Sequence, residues 1–378
     1  MRLEQTWWTE AAGWTPERPG TLGGSARLVL VFADTPIIKQ PGPLADIRAA
    51  YPRAHTLGCS TAGAICQTRI FDDALVATAV AFDHTDLTGV CVPIEEPDTS
   101  AEVAAQLARS LPHGGLVHVL VLSDGLKVNG SELIRGLREH LPPRVGVTGG
   151  LSGDGDRFRE TLVLWDKAPR PGTVAALGLY GDRLKVGYGS LGGWDPFGPE
   201  RLITRARGNV LYELDGQSAL GLYTRYLGEH AAGLPGTGLL FPLSVRTRDG
   251  QTVVRTILSV DETEQSLTFA GDMPVGAYAR LMKANFDRLI DGAVGAARTS
   301  CDALGSHAPD LAILISCFGR KLILKQRTEE EVEGVREVLG QGTVLTGFYS
   351  YGEISPLTPN ASCELHNQTM TITTLCEP

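Results

Sequence analysis

The chain has 378 residues, a length that accommodates about two domains, each with its own core. Its 34 Lys and Arg against 43 Asp and Glu give a formal net charge of −9, an acidic balance that argues against a protein built to hold the phosphate backbone of nucleic acid. Glycine is over-represented, at 45 of 378 residues or about 12% against a usual ~7%, so many turns need positive φ or close backbone approach.

In chain order, the first stretch places Trp7, Trp8 and Trp14 among Glu4, Glu10 and Glu17 and has no basic or apolar region of a secretory leader. Residues 28–33 form a continuous apolar, β-rich run, the pattern of a strand buried on both faces, and 74–82 is a second such run. Thr99 with Glu102 reads as a capping box opening a helix with Val103, Leu107 and Leu111 on one face. A buried strand at 116–122 follows, then a helix striped by Leu133, Ile134, Leu137 and Leu141 and stopped by Pro142 and Pro143. A strand at 145–148 runs into a Gly-rich turn. The middle of the chain, at 186–191, 239–245, 252–260 and 266–269, is β-rich with turn residues such as Asp249-Gly250, the signature of antiparallel strands. Tyr278, Leu281, Met282, Phe286, Leu289, Ile290, Ala293, Val294 and Ala297 predict the longest helix of the chain. Next come a strand at 311–316, a capping box of Thr328 with Glu331, a helix striped by Val332, Val335 and Leu339, a strand at 344–346 and a closing hairpin of 363–366 with 369–375.

The order strand, helix, strand, Gly loop therefore occurs twice, Leu116 to Leu311 being an offset of 195 and Gly149 to Gly347 one of 198. A two-lobed, pseudo-duplicated α/β or α+β fold with mixed sheets flanked by helices is expected. Apolar runs such as 311–318 fall far short of the ~20 residues that cross a bilayer, so no membrane insertion is expected. Seven scattered cysteines without a C-x-x-C indicate reduced thiols and a cytoplasmic location. The sequons at Asn129, Asn360 and Asn367 bear only on a secreted chain.

Three loops share one design, a Gly, a short polar or aromatic patch and a second Gly five positions on: Gly58-Cys59-Ser60-Thr61-Ala62-Gly63, Gly150-Leu151-Ser152-Gly153-Asp154-Gly155 and Gly347-Phe348-Tyr349-Ser350-Tyr351-Gly352. Such loops can expose backbone N–H groups beside hydroxyls and hold a carboxylate or phosphate; each can equally be a tight turn. The G-x-G-x-x-G at 187–192 opens no helix, and no P-loop is present, so nucleotide chemistry has no seat. No histidine spacing suits zinc, and G-x-S-x-G is missed at 58–63 because the second Gly stands one place too far. Cys59 is either a thiol nucleophile or a buried core residue. The site expected is one pocket where Gly58, Cys59, Ser60, Thr61 and Gly63 meet Tyr349, Ser350 and Gly352, with Gly149 from the middle loop, and with Asp124 and Glu353 as carboxylates for an ammonium group.

Residues Thr56-Leu57-Gly58-Cys59-Ser60-Thr61-Ala62-Gly63-Ala64-Ile65 resemble the signature loop of the FIST N-terminal domain (F-box and intracellular signal transduction family). Gly347 to Pro356 together with His366-Asn367-Gln368-Thr369-Met370-Thr371 is similar to the end of the FIST C-terminal domain, and Asn209 to Gly216 to the junction between the two. The resemblance covers 25–374 and departs at Ala64, where an acidic residue is expected. It implies an N-terminal extension at 1–24, a FIST N domain at 25–215 and a FIST C domain at 216–378. It further implies a small-molecule sensor for amino-acid-like ligands, in bacteria often fused to kinase, cyclase or chemotaxis output domains; without one here, a separate output protein of those types is the expected partner. No cofactor and no catalysis are expected. Two alternatives stay open: a haem-binding nitric oxide sensor, with His366 as the first axial ligand to test, and a Cys or Ser hydrolase built on the 58–63 loop.

Overall fold

Three near-continuous apolar runs, each followed by a helix and a Gly-containing strand, form the centre of the molecule. In the computed structural model, which describes residues 1–246, 250, 252–357 and 361–378, Leu28–Ala33 runs parallel to His55–Ser60, Leu116–Ser123 to Gly146–Leu151, and Leu311–Cys317 to Val344–Ser350. Asp249 of the predicted turn and the sequon Asn360 lie outside the described residues. Helices Pro41–Ala50, Gly130–His140 and Thr328–Leu339 supply the crossovers that parallel pairing requires. The first strand of each pair is flanked on its other side by an antiparallel strand, Leu75–Ala81, Thr173–Tyr180 or Met370–Cys376. Beyond those lie Arg2–Thr9, Asp86–Pro93 and Lys185–Leu191.

The architecture is mixed α/β, and the two units read from the sequence share topology and register, Gly149 facing Val121 as Gly347 faces Leu314. They belong to a set of three, because Gly58 faces Val31 in the same way. A β-carbon on Gly58, Gly149 or Gly347 would lie 2.0, 1.9 or 1.8 Å from the carbonyl oxygen of Val31, Val121 or Leu314. Only glycine lets these strands approach so closely. The three units are also interlocked. Val163–Trp165 of the second closes the outer edge of the first, Gly352–Pro356 of the third closes the second, and Ala64–Cys66 of the first closes the third.

Period-two alternation with both faces covered explains why the central runs are apolar at nearly every position. Leu28, Leu30 and Phe32 meet Leu120, Leu122, Ile313 and Ile315 in a core shared by all three sheets. The alternate residues face the helices: Val29 and Val31 lie under Leu44 and Ile47, Val119 and Val121 under Leu133 and Leu137, and Ala312 and Leu314 under Val332 and Val335. The G-x-G-x-x-G at 187–192 lies in the strand Lys185–Leu191, where the absent side chains of Gly187 and Gly189 let the helix Phe286–Asp302 approach; added β-carbons would meet Ser300 O at 1.9 Å and Ala296 O at 2.4 Å.

A smaller lobe is an eight-stranded antiparallel sheet from Asp195–Arg207 to Tyr278–Lys283, with its own core of Ile203, Tyr223, Leu243, Phe269 and Leu281. It corrects two readings. Tyr278, Leu281 and Met282 are on the strand Tyr278–Lys283, and the long helix begins only at Phe286, capped by Asn285 Oδ1 accepting from Arg288 N. Residues 236–240 form a 3-10 turn, so the strand expected at 239–245 is Leu243–Arg246. Neither predicted capping box forms: Thr99 Oγ1 donates to Glu96 O, and Thr328 Oγ1 to Lys325 O. Glu331, expected as a cap, is buried instead, accepting from Arg320 Nη2 at 2.7 Å, Ser316 Oγ at 3.0 Å and Tyr349 Oη at 2.5 Å.

Candidate functional site

The three Gly loops meet. Ala62 N donates to Tyr349 O at 2.9 Å, Gly153 N to Ser60 O at 2.9 Å and Tyr351 N to Leu151 O at 3.1 Å, a closed ring in which each unit bonds the next. Loops 58–63 and 347–352 thus adjoin through backbone hydrogen bonds. The expectation that they offer free N–H groups to an anion is not met. Ser60 N donates to Leu162 O, Thr61 N to Ala33 O, Gly63 N to Thr61 Oγ1 and Tyr349 N to Gly63 O.

Several expected site side chains are likewise engaged within the fold. Ser60 Oγ donates to Gly153 O and accepts from Leu162 N, both at 2.8 Å. Cys59 packs in the shared core with no exposure, and burial raises its thiol well above the ordinary range, so it is not poised as a nucleophile. Tyr349 is buried, its hydroxyl turned to Glu331 and also raised well above the usual range, chiefly by burial. Asp124 accepts four hydrogen bonds, from Leu126 N, Lys127 N, Thr161 Oγ1 and Gly172 N, and so shapes the loop that leads to helix Gly130–His140. Gly149 and Gly352 act through backbone, Gly149 against Val121 and Gly352 beside Leu365.

What opens to the surface is a cleft of about 760 Å³ between the three-sheet body and the antiparallel lobe. The body contributes Gly125, Leu126, Val128, Asn129 and Gly130, with Leu151, Ser350, Tyr351, Asn367 and the turn from Cys317 to Gly319; the lobe contributes Asn209, Thr256, Ile257, Leu258 and the segment 269–271. Of the expected residues, Ser350 lines it. Loop 58–63 does not reach it. The mouth is apolar: Leu126, Phe158 and Leu258 are 40%, 50% and 52% exposed, large values for such side chains, and Phe158 stacks on Tyr351 with ring centroids 4.6 Å apart. Tyr351 is fixed in turn by its hydroxyl donating to Gly155 O at 2.8 Å.

The floor is polar and uncharged. Asn367 is 1% exposed, and neither Nδ2 nor Oδ1 has a partner among the described residues; Thr256 Oγ1, on the lobe side, has none either. Glu353 lies just behind Ser350, Oε1 2.6 Å from Ser350 Oγ, while Oε2 accepts from Thr369 N at 3.2 Å and Thr369 Oγ1 at 3.0 Å. Burial pushes its carboxyl up to about 8, so it is largely protonated at neutral pH. Glu353 therefore braces the turn that carries Asn367. The lobe is held to the same segment by Arg255, a fully buried cation whose Nη1 donates to Leu365 O at 2.8 Å and whose Nε donates to Asp272 O at 3.2 Å; desolvation lowers it to about 10.

Asn367 and Thr256 were missed as site residues because isolated polar side chains carry no spacing signal; Asn367 was visible only as part of the motif 366–371. Haem does not fit His366, whose Nε2 donates to Ser355 O at 2.7 Å in a buried setting that lowers the ring to about 4. Among the described residues no histidine lines the cleft, and Cys317 there is held as the neutral thiol by burial. Among the described residues no group of three or more His, Cys, Asp or Glu is placed to hold a metal ion.

The FIST N domain matches residues 27–217 and the FIST C domain matches residues 219–356. The chain belongs to the FIST family. FIST domains are associated with signal transduction, and the junction between the two matched domains falls within the antiparallel lobe, beside the N-cap Ser218 of helix Ala219–Leu227. This FIST protein is 25% identical over 215 residues to an uncharacterised protein of Methanocaldococcus jannaschii, a match covering 52% of this chain and 40% of that one. Among solved structures, a cyanuric acid hydrolase from A. caulinodans aligns with a TM-score of 0.19 at 11% identity, over 78% of this chain and 99% of that one, and a likeness so weak carries no argument. No helix among the described residues is long and apolar enough to cross a membrane.

Proposed function

We propose that this FIST protein is a small-molecule sensor that takes its ligand in the cleft between body and lobe and signals through a separate output protein. The observation that carries the reading is the floor of that cleft, where buried polar atoms of Asn367 and Thr256 stand unpaired on opposite walls. Unpaired buried polar groups are rare and unfavourable, and they gather at functional sites. A ligand that satisfies both walls bonds to the body and the lobe at once, and so favours one relative placement of two separately cored parts. That is the physical requirement for a signal. Among the described residues the lining carries no ionised side chain, and the carboxyl behind Ser350, Glu353, is mostly neutral, so a free amino-acid zwitterion would find no lining charge to pair with.

The test is a thermal-shift screen of metabolites repeated on Phe158→Ala and Leu258→Arg, both on the exposed mouth. A ligand at 100 times its Kd stabilises the native state by about 2.7 kcal/mol, a rise of several degrees for a chain of this size. At least one hit weakened by both changes is expected. Hits indifferent to both would place binding elsewhere and overturn the reading.

A further inference from the structure

The cleft offers its ligand an unusual set of groups. Asn367 presents a donor and an acceptor side by side, Nδ2 and Oδ1, each without a partner among the described residues. Their presentation is over-determined. Glu353 holds the next turn through Thr369, Trp194 Nε1 donates to Gln368 O at 2.9 Å, and Gln368 itself is kept at φ 63°, a left-handed conformation unusual for a side chain of its size. Opposite stands the Thr256 hydroxyl, which can donate or accept. Between these polar points and the mouth the walls are Leu151, Ile257, Phe269 and the stacked Phe158 and Tyr351. Among the described residues, no Lys, Arg, Asp, Glu or His lines the cleft.

Resting on the reading of the cleft as the binding site, we infer that its ligand is an uncharged molecule carrying an amide-type edge, a carbonyl beside an N–H, on an apolar body. An ionised group entering these walls would lose its hydration with no counter-charge to replace it. A purely apolar molecule would leave Asn367 unpaired in a drier setting than before. An amide, lactam or ureide edge pairs with both atoms of Asn367 at once, donor to acceptor and acceptor to donor, and a flat apolar body lies along the Phe158 and Tyr351 rings. Sites that hydrogen-bond a ligand group discriminate strongly against analogues that lack it, whereas apolar pockets alone discriminate weakly.

The experiment uses four probes that share a phenyl ring on the full chain, benzamide, its near-isostere benzoate, benzylamine and phenylalanine, followed by ligand-observed NMR titration. Benzamide is expected to bind at least tenfold tighter than benzoate or benzylamine. Asn367→Leu is expected to weaken benzamide tenfold or more while the ligand-free variant melts at or above the temperature of the parent, because an unpaired buried amide has been removed. A merely structural Asn367 would instead lower the melting temperature, and that outcome overturns the inference. Asn367→Leu failing to fold counts as that same outcome; independently, Thr256→Val, of nearly the same shape, is expected to weaken benzamide with its melting temperature unchanged, and unchanged binding would count against the inference. If the charged or zwitterionic probes bind as tightly as benzamide, and binding is lost in Phe158→Ala, the amide assignment fails while the cleft stands. If no probe binds, or binding survives both Phe158→Ala and Leu258→Arg, the cleft itself is refuted.

Discussion

Replacing Glu353 by Gln isolates the protonation of one buried carboxyl. In the fold Glu353 is pushed to about 8 by burial, against an ordinary value of 4.5. Between those two pH values the unfolded chain has released the proton and the folded chain has kept it, so the native state binds more protons and stability falls as pH rises. At about 1.4 kcal/mol per pH unit, the fall between pH 5 and pH 8 is on the order of 3–4 kcal/mol. Gln copies the protonated acid. Its amide can donate to Ser350 Oγ, which has Ser316 O within 3.3 Å as its own acceptor, while its carbonyl accepts from Thr369. The assay is urea unfolding of parent and Glu353→Gln at several pH values from 5 to 8. The variant should nearly match the parent at pH 5 and exceed it by a few kcal/mol at pH 8. His118 and His366, lowered by burial to about 3 and about 4, oppose stability only as pH falls below 6.5, and they cancel in the difference because both proteins contain them. A parent-to-variant difference that stays flat across the range would mean Glu353 is ionised in the fold, and the reasoning would be wrong.

Gly347→Ala places a β-carbon 1.8 Å from Leu314 O and is expected to abolish folding or cost more than about 3 kcal/mol in denaturant, whereas Gly342→Ala, with open space around it, should change stability by less than about 1 kcal/mol; equal effects would undo the close-approach argument. Arg320 and Glu331 are both fully buried and paired, so Arg320→Met should destabilise by about 3–5 kcal/mol, with Arg320→Met/Glu331→Gln recovering part of the loss in the same unfolding assay. Mass-spectrometric mapping of brief iodoacetamide labelling should find Cys91, the exposed cysteine, modified well before Cys59; early labelling of Cys59 would contradict its place in the core.

The buried strands were legible because strands covered on both faces are almost wholly apolar, as at 28–33, 116–122 (but for His118) and 311–316 (but for Ser316). The third copy of the unit was not, since its crossover at Pro41–Ala50 has a weak apolar stripe of Pro43, Leu44 and Ile47. Tyr278 to Met282 shows helical spacing by coincidence, and pairing with Asp195–Arg207 and Leu243–Arg246 decides the strand. The capping boxes misled for a different reason. Glu331 has the right spacing to Thr328, yet the guanidinium of Arg320, eleven residues earlier, is the stronger partner. Of the site, the Gly loops were readable as a set, but whether their polar groups face a ligand or one another depends on the ring of contacts between units. Ser350 reached the cleft; Ser60 and Asp124 were absorbed by the fold.

Because the units trade strands in a circle, the family's two domains are not independent folding bodies. Only the first sheet is complete within residues 1–217; the second needs Gly352–Pro356 and Cys363–His366, and the third needs Ala64–Cys66 and Lys185–Leu191. A ribosome making this chain would therefore hold the second sheet with an open edge until about residue 356 has emerged, and the third stays incomplete until Met370–Cys376 can pair with Lys185–Leu191 and Leu311–Cys317. Cut at the domain junction, each half would display bare strand edges, and the two halves, mixed, should reassemble with each other in preference to folding alone.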